Sequence, residues 1–171
     1  MITIISGTNY QNSNTSKVAL EYKRFLKSKG IKANILALDE IDITDMLVRG
    51  SKFLKIENDI LKITRQFVII IPEYNGSYPG ILKLMIDSTE VEKVWYNKKV
   101  LLTGIASGRG GNLRGMEHLT GSLLHMKVTV HPNRLPLSVI HKLLDKEGRI
   151  NDTETLKAIN IQLDEFINWQ L

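Results

Sequence analysis

Short apolar runs recur along this chain with helical patterns between them, and that alternation constrains the fold more than any other feature. "MITII" at 1–5, "IKANILAL" at 31–38, "FVIII" at 67–71, "VLLTGI" at 100–105 and "KVTVHP" at 127–132 read as five strands. Runs that are apolar at their centres belong to strands covered on both faces, which means a parallel sheet between two layers of helices. The intervening segments supply those helices. Val18, Ala19, Tyr22, Phe25 and Leu26 share one face of a first helix, which Gly30 ends. Further helices are expected over 51–65, 79–94, 112–124 and 153–168; in the last, Leu156, Ile159, Leu163, Phe166 and Ile167 share a face. No repeat, low-complexity tract or linker divides the chain, so residues 1–171 read as one domain. A domain of this length buries about 70% of the surface its unfolded chain exposes.

Composition removes several function classes. The absence of cysteine excludes disulfides, thiolate chemistry and Cys-ligated metal, and is compatible with a reducing cytoplasm. His118, His125, His131 and His141 are scattered without ligand spacing, so no metal is expected. The net charge of +5 is spread over stretches such as "KVALEYKRFLKSK", where acids interleave with lysines, and no aromatic platform accompanies it. Nucleic acid is therefore not expected as a partner; the charge reads as a solvated surface that attracts small anions. No apolar run reaches 18 residues and "MITIISG" lacks a basic leader, so neither a membrane span nor secretion is expected. Asp39, Glu40, Asp42 and Asp45 read as a solvated connection after the second strand.

A parallel open sheet binds ligands beyond the carboxyl ends of its strands, where the strand order reverses. The loops after strands one, three and four are "SGTNYQNSNT", "PEYNGSYPG" and "ASGRGGNLRG", the three stretches richest in glycine and in hydroxyl or amide side chains. The first leads into a helix whose unpaired amides attract an anion, and Thr8, Ser13, Asn14 and Thr15 add donors, which suits a terminal phosphate. The alternative is that Asn12 or Ser13 only caps the helix. Neither the nucleotide P-loop pattern nor the dinucleotide glycine fingerprint is present. In the second loop Pro72 ends the strand, Tyr74 offers a flat face, and the backbone of Asn75, Gly76 and Ser77 can approach a ring edge, with Pro79 at a helix start. "GIASG" at 104–108 is not a nucleophile elbow, so Ser107 is not a catalytic serine.

"PEYNGSYPGILKLMID" resembles the flavin-binding signature of the NADPH-dependent FMN reductase family, which has a flavodoxin-like fold. "SGTNYQNSNTSKVA" and "GIASGRGGNLRGMEHLTGSLLHMKVTVHP" are similar to that family's phosphate loop and third glycine-rich segment. The resemblance covers nearly the whole chain and implies a flavodoxin-like three-layer α/β sandwich with a five-stranded parallel sheet in order 2-1-3-4-5. It implies FMN as cofactor, with its phosphate at Thr8, Ser13, Asn14 and Thr15. The ring would lie against Pro72, Glu73, Tyr74, Asn75, Gly76 and Ser77, with Ser107 and Gly108 at its far side. Tyr10 stands where the family usually carries an arginine, so a neutral contact replaces a charged one unless a cation such as Arg109 compensates. NADPH or NADH is the implied co-substrate, with Arg109 a contact for the extra phosphate of NADPH. The implied reaction passes hydride through FMN to a small acceptor: a flavin, quinone, azo compound or similar. The alternative is a flavodoxin-like FMN-binding electron carrier. The family also implies a homodimer near the flavin; the helix over 79–94 and the pair Trp95 and Tyr96 are its candidate surface, core packing being the other reading of that pair.

Overall fold

The computed structural model describes residues 1–170. In chain order it contains β1 (Ile2–Ser6), α1 (Asn14–Ser28), β2 (Ala33–Ala37), α2 (Ile43–Leu47), α3 (Ser51–Ile56), β3 (Gln66–Pro72), α4 (Gly80–Asp87), α5 (Val91–Val94), β4 (Lys99–Ile105), α6 (Leu113–His125), β5 (Thr129–Val130), β6 (Leu135–Leu137) and α7 (Thr153–Asn168). The strands are parallel in the order β2-β1-β3-β4-β5, as the sequence led us to expect. A sixth strand was not foreseen. Thr129 and Val130 pair with Lys99 and Val100 at the start of β4, whereas Leu135 to Leu137 pair with Thr103 to Ile105 at its end. One edge line is thus built from two short pieces, interrupted around Pro132, which has no amide to give a ladder.

Side chains along the central strands alternate between two cores, as the two-residue period of a strand demands. Ile5, Phe67, Ile69, Ile71, Val100 and Leu102 face the helices α3 to α6. Ile4, Val68, Ile70, Leu101 and Ile105 face α1 and α7. The second core is pinned by a buried polar group. The Tyr22 hydroxyl donates to Gln162 Oε1 (2.6 Å), shares a hydrogen bond with Thr103, and is driven to a higher pKa by burial. The Gln162 amide nitrogen donates to the carbonyls of Leu102 and Asn133.

Two expected helices are interrupted. The segment 51–65 continues from α3 into a π-helical stretch, Glu57–Leu61, and the segment 79–94 breaks between α4 and α5 at Ser88, Thr89 and Glu90. Buried Glu57 links the two. It accepts from the Glu90 amide (2.6 Å) and from Arg49 (2.9 Å), and Arg49 also donates to the Ser88 carbonyl, so the second break is bonded to the first. Thr89 completes the turn, donating to Ile86 O and accepting from the Trp95 indole (2.8 Å). Trp95 is fully buried with its ring 5.1 Å from Phe67, so it belongs to the core. Tyr96 lies under the Lys127 ammonium beside the start of β4. Both aromatics therefore sit at the pole opposite the carboxyl ends of the strands.

Candidate functional site

The three loops meet where β1 and β3 leave the sheet in opposite directions. Gly7 follows β1, and its amide donates to the Ile70 carbonyl at 2.9 Å. A Cβ there would lie 3.0 Å from that same oxygen, a tight contact that glycine avoids as the first loop passes close to β3. Thr8 is buried: its hydroxyl shares a 2.5 Å hydrogen bond with the Tyr74 hydroxyl and accepts from the Tyr10 amide. Ser13 caps α1, accepting from the Ser16 amide at 3.1 Å and meeting the Ser16 hydroxyl at 3.0 Å. The amides of Asn14 and Thr15 have no partner among the described residues, which leaves two donors at the positive end of a 15-residue helix.

The second loop is a tight turn. Tyr74 and Ser77 exchange both backbone hydrogen bonds (2.9 and 3.0 Å), and Asn75 and Gly76 have φ of 52° and 73°. Left-handed φ at both central positions is what a type I′ turn requires, and Asn-Gly supplies it at least cost. The turn presents Tyr74 toward the first loop, where its ring meets the edge of Tyr10 at 5.6 Å. Burial holds the Tyr74 hydroxyl above the usual tyrosine range against the opposing effect of Thr8, so it is a neutral phenol at neutral pH. Ser77 points elsewhere, to His118 Nδ1 at 2.9 Å on α6.

The third loop is tied to the sheet at both ends. The Glu73 amide donates to Ile105 O, and the Asn112 side chain donates to Ile71 O (3.1 Å). Between them Ser107, Gly108, Arg109 and Gly110 are exposed. A hollow of about 210 Å³ brings together Tyr10, Ser13, Asn14 and Thr15 from the first loop, Pro72, Glu73 and Tyr74 from the second, and Ser107 from the third. Ile105, Ala106 and Ile140 also line it, and none of these three was singled out from the sequence. Thr8 stands behind the wall, while Asn75, Gly76, Ser77, Gly108 and Arg109 flank the hollow without lining it. Small-molecule sites commonly enclose roughly 300–1,000 Å³, so this one is a cleft narrowed by the Tyr10 ring, which is 63% exposed. Hollows of about 600, 520 and 470 Å³ lie at the opposite pole, between α4 and α6, and between the end of α1 and the start of β2, and none of them unites the three loops.

Two cations flank the cleft. Arg109 is exposed on the third loop. Arg114, in the first turn of α6, lays its guanidinium against Gly76: a Cβ there would be 3.0 Å from Nη1. The arginines in ion pairs among the described residues are Arg24, Arg49 and Arg134, so Arg109 and Arg114 carry unpaired charge beside the cleft. No cluster of metal-binding side chains exists among the described residues.

Comparisons with known proteins bear on what such a cleft holds. The family model described as NADPH-dependent FMN reductase matches residues 1–141. An NAD(P)H-dependent FMN reductase of Pseudomonas aeruginosa is 33% identical over 103 residues, covering 57% of this chain and 55% of that protein. A 2-hydroxy-1,4-benzoquinone reductase of a Burkholderia species is 27% identical over 107 residues, covering 60% and 58%. The match thus spans little more than half the length of either relative. Among solved structures, the flavoenzyme NAD(P)H:acceptor oxidoreductase FerB of Paracoccus denitrificans superposes with a TM-score of 0.75 at 20% identity, covering 98% of this chain and 95% of that one. That likeness establishes the flavodoxin-like fold.

Proposed function

This chain belongs to the NADPH-dependent FMN reductase family, and on that premise we propose that it binds FMN and catalyses NAD(P)H-dependent reduction of a small acceptor. The observation that carries the reading is the convergence of three loops on one cleft at the β1/β3 switch point. The donor set fits the cofactor. The free amides of Asn14 and Thr15, with the hydroxyls of Ser13 and Thr15, suit a phosphate at the start of α1. Pro72, Glu73, Tyr74, Ala106, Ser107 and Ile140 line the rest of the hollow, and against them the flat ring would lie. FMN, when bound, takes hydride from a nicotinamide and passes the electrons on.

The protein's share of the work is placement. The type I′ turn fixes Tyr74, and Tyr74 fixes Thr8, so phosphate loop and ring wall are held in one register. Glu73 and Ser107, which line the hollow, would offer the ring edge an acceptor and a donor. Thr8 acts through Tyr74 in this scheme. Arg109, exposed on the third loop, and Arg114, against Gly76, are the candidates to pair with the extra phosphate of NADPH, the one charge-assisted contact NADH cannot make. A quinone or free flavin suits the open mouth as acceptor.

Self-association is part of the proposal, with its surface revised. The groove between α4 and α6, lined by Ile86, Gly121 and Met126 and adjoining Ser77 through His118, replaces the aromatic pair as the contact between two copies. No helix is long and apolar enough to cross a membrane among the described residues, in keeping with a cytoplasmic site of action. The experiment is direct: purify the protein, record its visible spectrum with stoichiometric FMN, and add NADPH under nitrogen. Bleaching of the flavin bands on a seconds timescale supports the reductase. Bound flavin that NADPH leaves oxidised would favour the electron carrier, and no bound flavin would reject both.

A further inference from the structure

Val139 has φ 49° and ψ 45°, a left-handed backbone, and it is the only β-branched residue so placed among the described residues. The others with positive φ are glycine, asparagine, arginine and lysine. A branched side chain in this region crowds its own backbone, and such strain persists only where the surroundings impose it. Core packing does not impose it here, because Val139 belongs to neither apolar core.

What surrounds Val139 is the third loop. The Val139 amide donates to Gly108 O (3.0 Å), the Ile140 amide to Ala106 O (3.1 Å) and the Ser138 hydroxyl to Arg109 O (2.7 Å), while the Ala106 amide donates back to Leu137 O (3.1 Å). Four hydrogen bonds thus join residues 137–140 to residues 106–109. Immediately after the left-handed residue the chain delivers Ile140, which is 3% exposed, packs in the second core and also lines the cleft. An exposed glycine-rich loop would otherwise be free to sample many shapes.

We propose that the Ser138–Ile140 turn is a positioning element for the flavin site: the left-handed Val139 clamps the 106–109 loop and sets Ile140 as the cleft's apolar wall. The inference rests on the FMN reading for its ligand but not for its geometry. Binding is stronger when the loop is held in its bound shape beforehand, so loosening the turn weakens FMN even though no side chain that touches the ligand has changed.

The test compares Val139→Asn with Val139→Gly. Asparagine tolerates the left-handed region and keeps the turn; glycine tolerates it too but frees the backbone to leave it. In the flavin-free protein, hydrogen exchange should find the amide of Ile140 protected in the parent and in Val139→Asn, and exchanging at least tenfold faster in Val139→Gly. FMN titration by fluorescence quenching should then give a Kd within twofold of the parent for Val139→Asn and about five- to tenfold weaker for Val139→Gly. Ser138→Ala, which removes one surface hydrogen bond, serves as a milder loosening, with a loss of about twofold. Unchanged FMN affinity in Val139→Gly would overturn the proposal, as would equal losses in the Asn and Gly variants or weaker binding with the Ile140 amide still protected. If the parent itself binds no FMN, the flavin reading fails, and the exchange comparison still decides whether Val139 clamps the loop.

Discussion

The hydroxyl of Tyr74 meets the side chain of Thr8 at 2.5 Å, across 66 residues of sequence, and this hydrogen bond joins the loop after β1 to the loop after β3. Thr8 is completely buried, so its hydroxyl is committed to the protein rather than displayed to a ligand. Thr8 thereby sets the distance between the two loops proposed to hold the cofactor's two ends.

Replacing Tyr74 with Phe keeps the ring and removes that tie. The loss of one hydrogen bond with a buried partner should lower stability by about 1–3 kcal/mol, because the Thr8 hydroxyl keeps only the Tyr10 amide. FMN affinity should fall by about three- to tenfold. Urea denaturation without flavin and fluorescence titration with it measure the two effects separately. Unchanged FMN affinity would show that the tie serves folding alone.

Much of this architecture was legible in the sequence. The centrally apolar runs from Ile2, Phe67 and Val100 fix three central strands, and the loop rule then points to the cleft before any side chain is placed. The bond between Thr8 and Tyr74 was not legible, since nothing local to Thr8 signals that Tyr74 will reach it. The break at Ser88 to Glu90 was hidden because Glu57 and Arg49, which stabilise it, lie more than 30 residues upstream. The division of the last strand into β5 and β6, and the arrival of Ile140 in the cleft, depend on pairing with β4 and with the third loop; "PLSVI" has no periodicity to announce either.

His131 gives the fold a pH dependence. It is 5% exposed, packed edge-on against Phe166 and Trp169, and accepts from the Asn133 amide at Nδ1. Burial pushes its pKa below the usual histidine value, with Glu165 opposing more weakly. The unfolded chain therefore takes the proton more readily. The stabilisation is complete above about pH 6.5, the unfolded value, and is lost as pH falls through the depressed folded value. The urea midpoint should drop between pH 7.5 and 5, and His131→Phe, which keeps the ring stack and cannot titrate, should flatten that drop. Parallel slopes in the two proteins would assign the pH dependence to other groups.

Under the proposed NADPH reading, Arg114, whose guanidinium rests on Gly76 in the second loop, is expected to contribute more than Arg109. Arg114→Gln should raise KM for NADPH by about tenfold, the equivalent of 1.4 kcal/mol, and leave KM for NADH within about twofold. Arg109→Gln should have the smaller effect. Equal losses for NADH and NADPH would mean that the arginine serves the shared part of the cofactor, and kinetics with both donors at saturating acceptor distinguish the cases.

The phosphate reading of the first loop has a decisive variant. Ser13 caps α1 through the Ser16 amide, and aspartate is an equally good cap, so Ser13→Asp should leave the stability of the flavin-free protein within about 0.5 kcal/mol. The same change sets a carboxylate beside the unpartnered amides of Asn14 and Thr15, where it competes for their donors and repels an anion. FMN should bind at least tenfold more weakly, whereas riboflavin, which has no phosphate, should bind the parent poorly and be indifferent to the substitution. Tyr10→Arg should act in the opposite sense: Tyr10 lines the cleft, is 63% exposed and packs only on the edge of Tyr74, so an arginine fits and adds a charged contact. A gain of up to about tenfold in FMN affinity, lost at high salt, is the expected result. If Ser13→Asp and the parent bind FMN equally while both fold normally, the helix start does not hold the phosphate, and the cofactor must be sought on the other loops.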